Sequence, residues 1–183
     1  MKKVLAIGVG ALALGGGAFG AAWIAGSDLP EDLELEVAVA SRQGPTAVWG
    51  VVSDFERHGA WRDDVTSVER VGDIAGKPAW RETGLMGESR TYVTAAWSPP
   101  HSLRRDLVED GYLMGSVSVE LVPEGMGTRV TLVERSRTPN PIARLLRQQG
   151  GGVGATGPAL LRALADHLGD RQNQVIVVES SDE

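Results

Sequence analysis

Residues 102–122 read SLRRDLVEDGYLMGSVSVELV, and the alternation in this stretch decides the fold. Leu103, Arg105 and Leu107 alternate with Arg104 and Asp106, and Val117, Val119 and Leu121 alternate with Ser116, Ser118 and Glu120. Period two with one apolar and one polar set marks strands that bury a single face, and Asp110-Gly111 between them marks a chain reversal. The same pattern extends in both directions. Strands are expected near 66–71, 78–83, 88–97, 102–109, 113–122 and 127–137, punctuated by Gly and Pro. Upstream, Leu35, Val37 and Val39 form one more half-buried strand. Gly44-Pro45 then breaks the chain, and Val48, Val51, Val52 and Phe55 recur at helical spacing; Trp61 follows in a polar turn or second short helix around His58 to Asp64. Asn140-Pro141 is a helix start, with Asn as N-cap and Pro in the first turn. Residues 142–149 and 158–168 read as helix on either side of a glycine-rich stretch, so two helices or one weakened helix fit. The remainder to Glu183 reads as a frayed polar tail apart from Val175 to Val178. Consecutive strands joined by short loops and followed by helix predict an α+β fold, an antiparallel meander with a helix across one face.

Loop lengths set which residues share a face. With loops at 84–87, 98–102, 110–112 and 123–126, one face carries Trp80 and Glu82; Val93, Ala95 and Trp97; Leu103, Arg105 and Leu107; Val117, Val119 and Leu121; Val130, Leu132 and Glu134. The other carries Arg81, Arg90, Tyr92, Thr94, Arg104, Asp106 and further polar residues, and is expected to face solvent. A two-residue Asp110-Gly111 turn would invert the parity of two strands, so a three-residue loop is expected there; a β-bulge at Gly115 would give the same faces. Glu82, Arg105 and Glu134 stand out on the apolar face, because a buried charge costs several kcal/mol unless paired. Two readings fit them: positions near the sheet edge that reach water, or the lining of an internal cavity in which Arg105 pairs with a carboxylate.

The N-terminus is a separate unit. Lys2 and Lys3 precede a charge-free run from Val4 to Gly26, and Asp28, Glu31 and Asp32 follow it. The run is about long enough for a membrane-crossing helix, and the charge bias places the rest of the chain outside the cytoplasm. An uncleaved anchor and a signal peptide cut after Ala22 both export the domain; the length of the run favours the anchor. The expected organisation is an anchor or signal segment over 1–26, a linker over 27–32, a domain over 33–169 and a polar tail over 170–183. The chain has no Cys, which excludes disulfides, thiolate metal sites and a Cys nucleophile. Three dispersed His residues, with no ligand pair at suitable spacing, predict no metal and no cofactor. The formal charge of −6 speaks against nucleic acid. Gly8-Val-Gly10 and the glycines at 150–154 lack the strand–helix context of a nucleotide loop.

Several segments, in this order, resemble the START-related helix-grip superfamily, in its polyketide cyclase/dehydrase and lipid-transport branch. They are residues 47–55 (AVWGVVSDF) with Trp61, residues 80–84 (WRETG), residues 97–103 (WSPPHSL) and residues 127–134 (GTRVTLVE). The resemblance spans roughly residues 33 to 168. It implies a helix-grip fold, a seven-stranded curved antiparallel sheet around a long C-terminal helix with a hydrophobic cavity between them. Combined with the face assignment, it makes Trp61, Trp80, Glu82, Val93, Trp97, Arg105, Leu107, Val119, Val130 and Glu134 the expected lining. The expected function is a membrane-tethered, exported carrier or sensor of a lipid- or polyketide-like molecule, with Arg105 orienting a carboxylate or phosphate through forked hydrogen bonds. Alternatives are a cyclase/dehydrase-type enzyme using Glu82 or Glu134, and a module that docks another envelope protein.

Overall fold

The computed structural model describes residues 20–148, 156–170 and 173–182. The chain runs β1 (Asp32–Ser41), α1 (Pro45–Val52), a 3-10 segment (Phe55–Ala60), β2 (Val65–Ile74), β3 (Lys77–Gly84), β4 (Ser89–Ser98), β5 (Ser102–Glu109), β6 (Tyr112–Glu124), β7 (Gly127–Arg137), α2 (Pro141–Gln148), α3 (Thr156–His167) and β8 (Ile176–Asp182). All strands join one antiparallel sheet in the order β2-β3-β4-β5-β6-β7-β1-β8. Every consecutive pair from β2 to β7 is a hairpin, and β1 closes on β7. The expected α+β meander is present.

The sheet carries eight strands rather than seven. The segment expected to fray, Ile176–Asp182, pairs with β1, because β1 is otherwise an edge whose backbone donors and acceptors need partners. Val175 packs against the core just before it. Among the described residues, no helix is long and apolar enough to cross a membrane. Residues 20–27 are helical, whereas most of the charge-free run lies outside the described residues.

Two local devices differ from expectation, and both concern register. The β5–β6 connection is the two-residue Asp110-Gly111 turn, with φ of 49° and 83°, the pair of positive angles that a type I′ hairpin needs. Parity is recovered by a bulge at Met114, between the pairs Leu107↔Gly115 and Val108↔Leu113. The three-residue loop is therefore incorrect, and the bulge route to the same faces is the one taken, one residue earlier than Gly115. The β3–β4 loop spans 84–88, one residue longer than expected, since Thr83 pairs with Ser89. That slip turns Tyr92 and Thr94 inward and sends Val93 to the opposite face, paired with Ala79 and Asp106. A second bulge, between Thr94 and Ala96, restores Trp97 to the inner face opposite Leu103.

The inner face packs under α3, whose buried residues Gly157, Leu160, Leu161, Leu164 and Ala165 repeat at helical spacing. Val37, Val48, Val130, Leu132, Leu161 and Leu164 are fully buried in one cluster. Gly157 permits this approach: a Cβ there would lie 2.9 Å from Leu132 Cδ2 and 3.2 Å from Glu134 Oε2. The far end of α3 is tied to β1 by Asp170, which accepts hydrogen bonds from the Ser41 hydroxyl (2.7 Å) and from Arg42 Nε (2.8 Å). At α2, the Asn140 carboxamide oxygen accepts from the N–H of Ile142 at 2.9 Å, with Pro141 at the first position as expected.

Candidate functional site

Cross-strand pairs give the inner face as rows. One row is Trp80, Tyr92 and Leu107; the next is Thr94, Arg105, Val117 and Glu134; the third is Trp97, Leu103, Val119 and Leu132. The segment after α1 lays its own side chains over these rows. Phe55, His58 and Arg62 recur three and four residues apart, so one turn after another points the same way. All three are buried.

Arg105 is the centre of the arrangement. Its guanidinium carbon lies 4.3 Å from the centroid of Phe55 and 4.4 Å from that of Tyr92, a cation held between two rings. Its Nη1 donates to Glu82 Oε1 at 2.6 Å. Among the described residues, Nε and Nη2 have no hydrogen-bond partner, although Arg105 is only 5% exposed. The Thr94 hydroxyl, in the row of Arg105, is likewise buried without a partner. Buried donors without a partner cost free energy, so they are the groups here most in need of one.

Glu82 also accepts from Arg62 Nη1 at 3.2 Å, and Arg62 grips Asp64 through Nε (3.1 Å) and Nη2 (2.7 Å). Burial pushes the Glu82 carboxyl up, but Arg105 and Arg62 together outweigh it and hold the group down at about 2. Burial, with Arg105 and Arg62 nearby, lowers His58 to about 4. Its Nε2–H donates to the Val52 carbonyl at 3.1 Å, which leaves Nδ1 as the acceptor facing Arg62 at 3.5 Å. The 4.0 Å approach of His58 to Glu82 is thus a neutral contact near pH 7 and not an ion pair. Glu134 has a different environment: burial raises it, and its Oε2 accepts the Gly157 N–H at 2.8 Å, capping the start of α3.

Three spaces adjoin this cluster. Beneath α3 lies a cavity of about 20 Å³ between Arg105, His58, Trp61, Val119 and Leu160. That is room for one water-sized group, so the hollow expected under the helix is almost filled by packed side chains. On the other side of Phe55 an apolar groove of about 420 Å³ runs between Pro78, Trp80, Thr94, Ala96 and Trp97. Phe55 lines both spaces and touches Trp80 and Trp97 edge-to-face, at centroid separations of 5.5 and 5.9 Å. A polar pocket of about 220 Å³ opens beyond Glu82, lined by Arg62, Asp64, Glu88 and Arg90.

Of the residues expected to line a common site, Trp61, Arg105 and Val119 surround the small cavity, and Glu82 is bonded to Arg105. Trp80 and Trp97 line the groove, and Trp97 is 47% exposed at its rim. Leu107 lies farther along the inner face, Val130 is in the packed core, Glu134 caps α3, and Val93 is on the opposite face. Phe55, His58, Arg62, Tyr92 and Thr94 were not expected at the site. The spacing of the first three was visible in the sequence; the inward turn of the last two depends on one extra loop residue. Among the described residues, no group of three or more potential ligands could hold a metal ion.

A curved antiparallel sheet with a helix across its inner face and an arginine-centred cluster between them invites comparison with known proteins. The family model described as polyketide cyclase/dehydrase and lipid transport matches residues 32–169. The chain belongs to that family. A START superfamily protein from Mycobacterium smegmatis superposes with a TM-score of 0.57 at 20% identity, over 75% of this chain and 97% of its own. A protein from Thermus thermophilus gives 0.59 at 21% identity, over 74% and 96%. An aromatase/cyclase from a Streptomyces species gives 0.59 at 16% identity, over 77% and 96%. These likenesses establish the fold that the polyketide cyclase/dehydrase and lipid-transport family member adopts here. No curated protein matches the sequence.

Proposed function

We propose that this family member binds a small, largely apolar molecule, with its body in the groove of Phe55, Trp80 and Trp97 and its polar end at Arg105. One observation carries the reading: a buried arginine, stacked on two aromatic rings, has two donors without a partner and lines a small cavity that shares Phe55 with an apolar groove. Such convergence of a few polar groups on an apolar surface is the usual form of a ligand site. Phe55 lines both spaces, so a turn of its ring would join them. The charge-free run at 4–26, flanked by Lys2 and Lys3, supports tethering to a membrane with the domain outside the cytoplasm, where such a molecule would be exchanged with lipid.

The test is extraction of the full-length protein purified from its own cells, with mass spectrometry of the organic phase. A stoichiometric apolar compound is expected, and its loss in a Trp80→Ala, Trp97→Ala variant that stays folded. Protein that carries nothing and shows no change in Trp fluorescence with any apolar probe would end the proposal. A cyclase/dehydrase-type activity would draw on Glu134, whose carboxyl burial raises, because Glu82 is committed to two arginines. Its signature would be turnover lost in Glu134→Gln with binding retained.

A further inference from the structure

The charges around Arg105 define what it can accept. Arg105 donates to Glu82, Glu82 accepts from Arg62, and Arg62 holds Asp64 through two N–H groups. Two cations therefore stand against two anions in one connected cluster. His58, packed on it, is uncharged near pH 7. Arg90 and Glu88, in the polar pocket beyond Glu82, again offer one charge of each sign. Glu134, on the same face and one strand past Val117, adds a further carboxyl, and Tyr92 presents its ring to Arg105.

Taking the binding reading above as the basis, we infer that Arg105 takes the oxygen of a neutral carbonyl, such as a ketone, ester or amide, at the buried end of an apolar molecule, and not a carboxylate or phosphate. An anion brought to Arg105 would have to share it with Glu82, and two like charges resist ionisation at one site. A carbonyl needs no compensating charge. The open donors suit it, because Nε–H and the adjacent Nη2–H point the same way and a single oxygen can lie across both. The cavity agrees in size: about 20 Å³ accommodates one oxygen-sized group and not the several oxygens of a phosphate.

The test uses full-length protein in amphipol with three probes of matched chain: undecane, methyl nonyl ketone and decanoate. Affinity is read from Trp fluorescence and divided by that of Arg105→Met, so that simple partitioning cancels. The ketone is expected to lose about tenfold on that substitution, undecane to be unchanged, and decanoate at pH 7 to change little. For unmutated protein, decanoate should bind more tightly as pH falls from 7 to 5 and its carboxyl becomes neutral, with the ketone unaffected. Asp64→Asn, at a partly exposed position, leaves the cluster one charge positive and should favour decanoate over ketone. The pH series and Asp64→Asn decide the matter if Arg105→Met does not fold. Decanoate at pH 7 binding more tightly than the ketone would overturn the inference and leave binding intact. So would undecane tracking the ketone throughout. If none of the three probes binds, the binding reading itself falls.

Discussion

His58 makes mild acid a specific threat to this fold. The residue is 2% exposed, and its imidazole lies beside two arginines and is lowered from 6.5 to about 4. The unfolded chain binds the proton near the ordinary value and the folded chain resists it, so the contribution is present above pH 6.5 and is lost as pH falls toward 4. Linkage between those two values gives a loss of about 2 kcal/mol on going from pH 7 to pH 5. Glu82 adds little in that interval, because above its ordinary 4.5 the carboxyl is largely ionised in the folded and the unfolded chain alike. The assay is urea unfolding of the full-length protein at pH 7 and pH 5, followed by Trp fluorescence. The comparison is His58→Gln, which keeps a donor for the Val52 carbonyl and removes the titration. Unmutated protein should lose about 2 kcal/mol between the two conditions and the variant a small fraction of that. Equal pH dependence in both proteins, or a flat response in the unmutated one, would refute the assignment of a buried, neutral His58 between Arg105 and Arg62.

Three further outcomes follow from the packing and charge of the domain. Glu82→Gln should flatten the stability profile in the lower window, between pH 4.5 and about 2, where the depressed Glu82 carboxyl otherwise takes up its proton; acid titration followed by circular dichroism reads this. Gly157→Ala should cost about 1–3 kcal/mol in urea unfolding, because its methyl meets Leu132 and the Glu134 carboxylate at the tightest point under α3. Asp170→Ala should cost about 2 kcal/mol by the same measurement, since it strands the buried Ser41 hydroxyl and releases Arg42; hydrogen exchange should then rise first in α3 and the start of β8.

Much of the fold was legible from alternation alone. The strands from Val65 to Arg137, the helix break at Gly44-Pro45 and the Asn140-Pro141 start all lie where period and caps put them. So do Trp80, Glu82, Arg105, Val119 and Glu134 on the inner face, because burial of Val117, Val119 and Leu121 left little freedom in β6. Tyr92 was assigned to solvent because an 84–87 loop registers it on the face of Arg90 and Thr94, and a single residue more in that loop reversed it. Local sequence weighs such a residue weakly, and the alternation of a half-polar strand tolerates either parity.

What this sequence determined unaided is therefore the kind and order of its elements as far as the helix before His167, and the presence of three charges on an otherwise apolar sheet face. Those properties are periodic and local, and each is encoded within a few residues. What the tertiary structure alone decided is how the charges are used. Glu82 and Arg105 meet Arg62 and His58 from a segment some twenty or more positions upstream, Glu134 is drawn away to cap α3, and β8 covers the edge that β1 would expose. Distances of that kind depend on loop lengths, bulges and the closing of the sheet on its helix, so the open donors of Arg105 exist only once every strand has found its register.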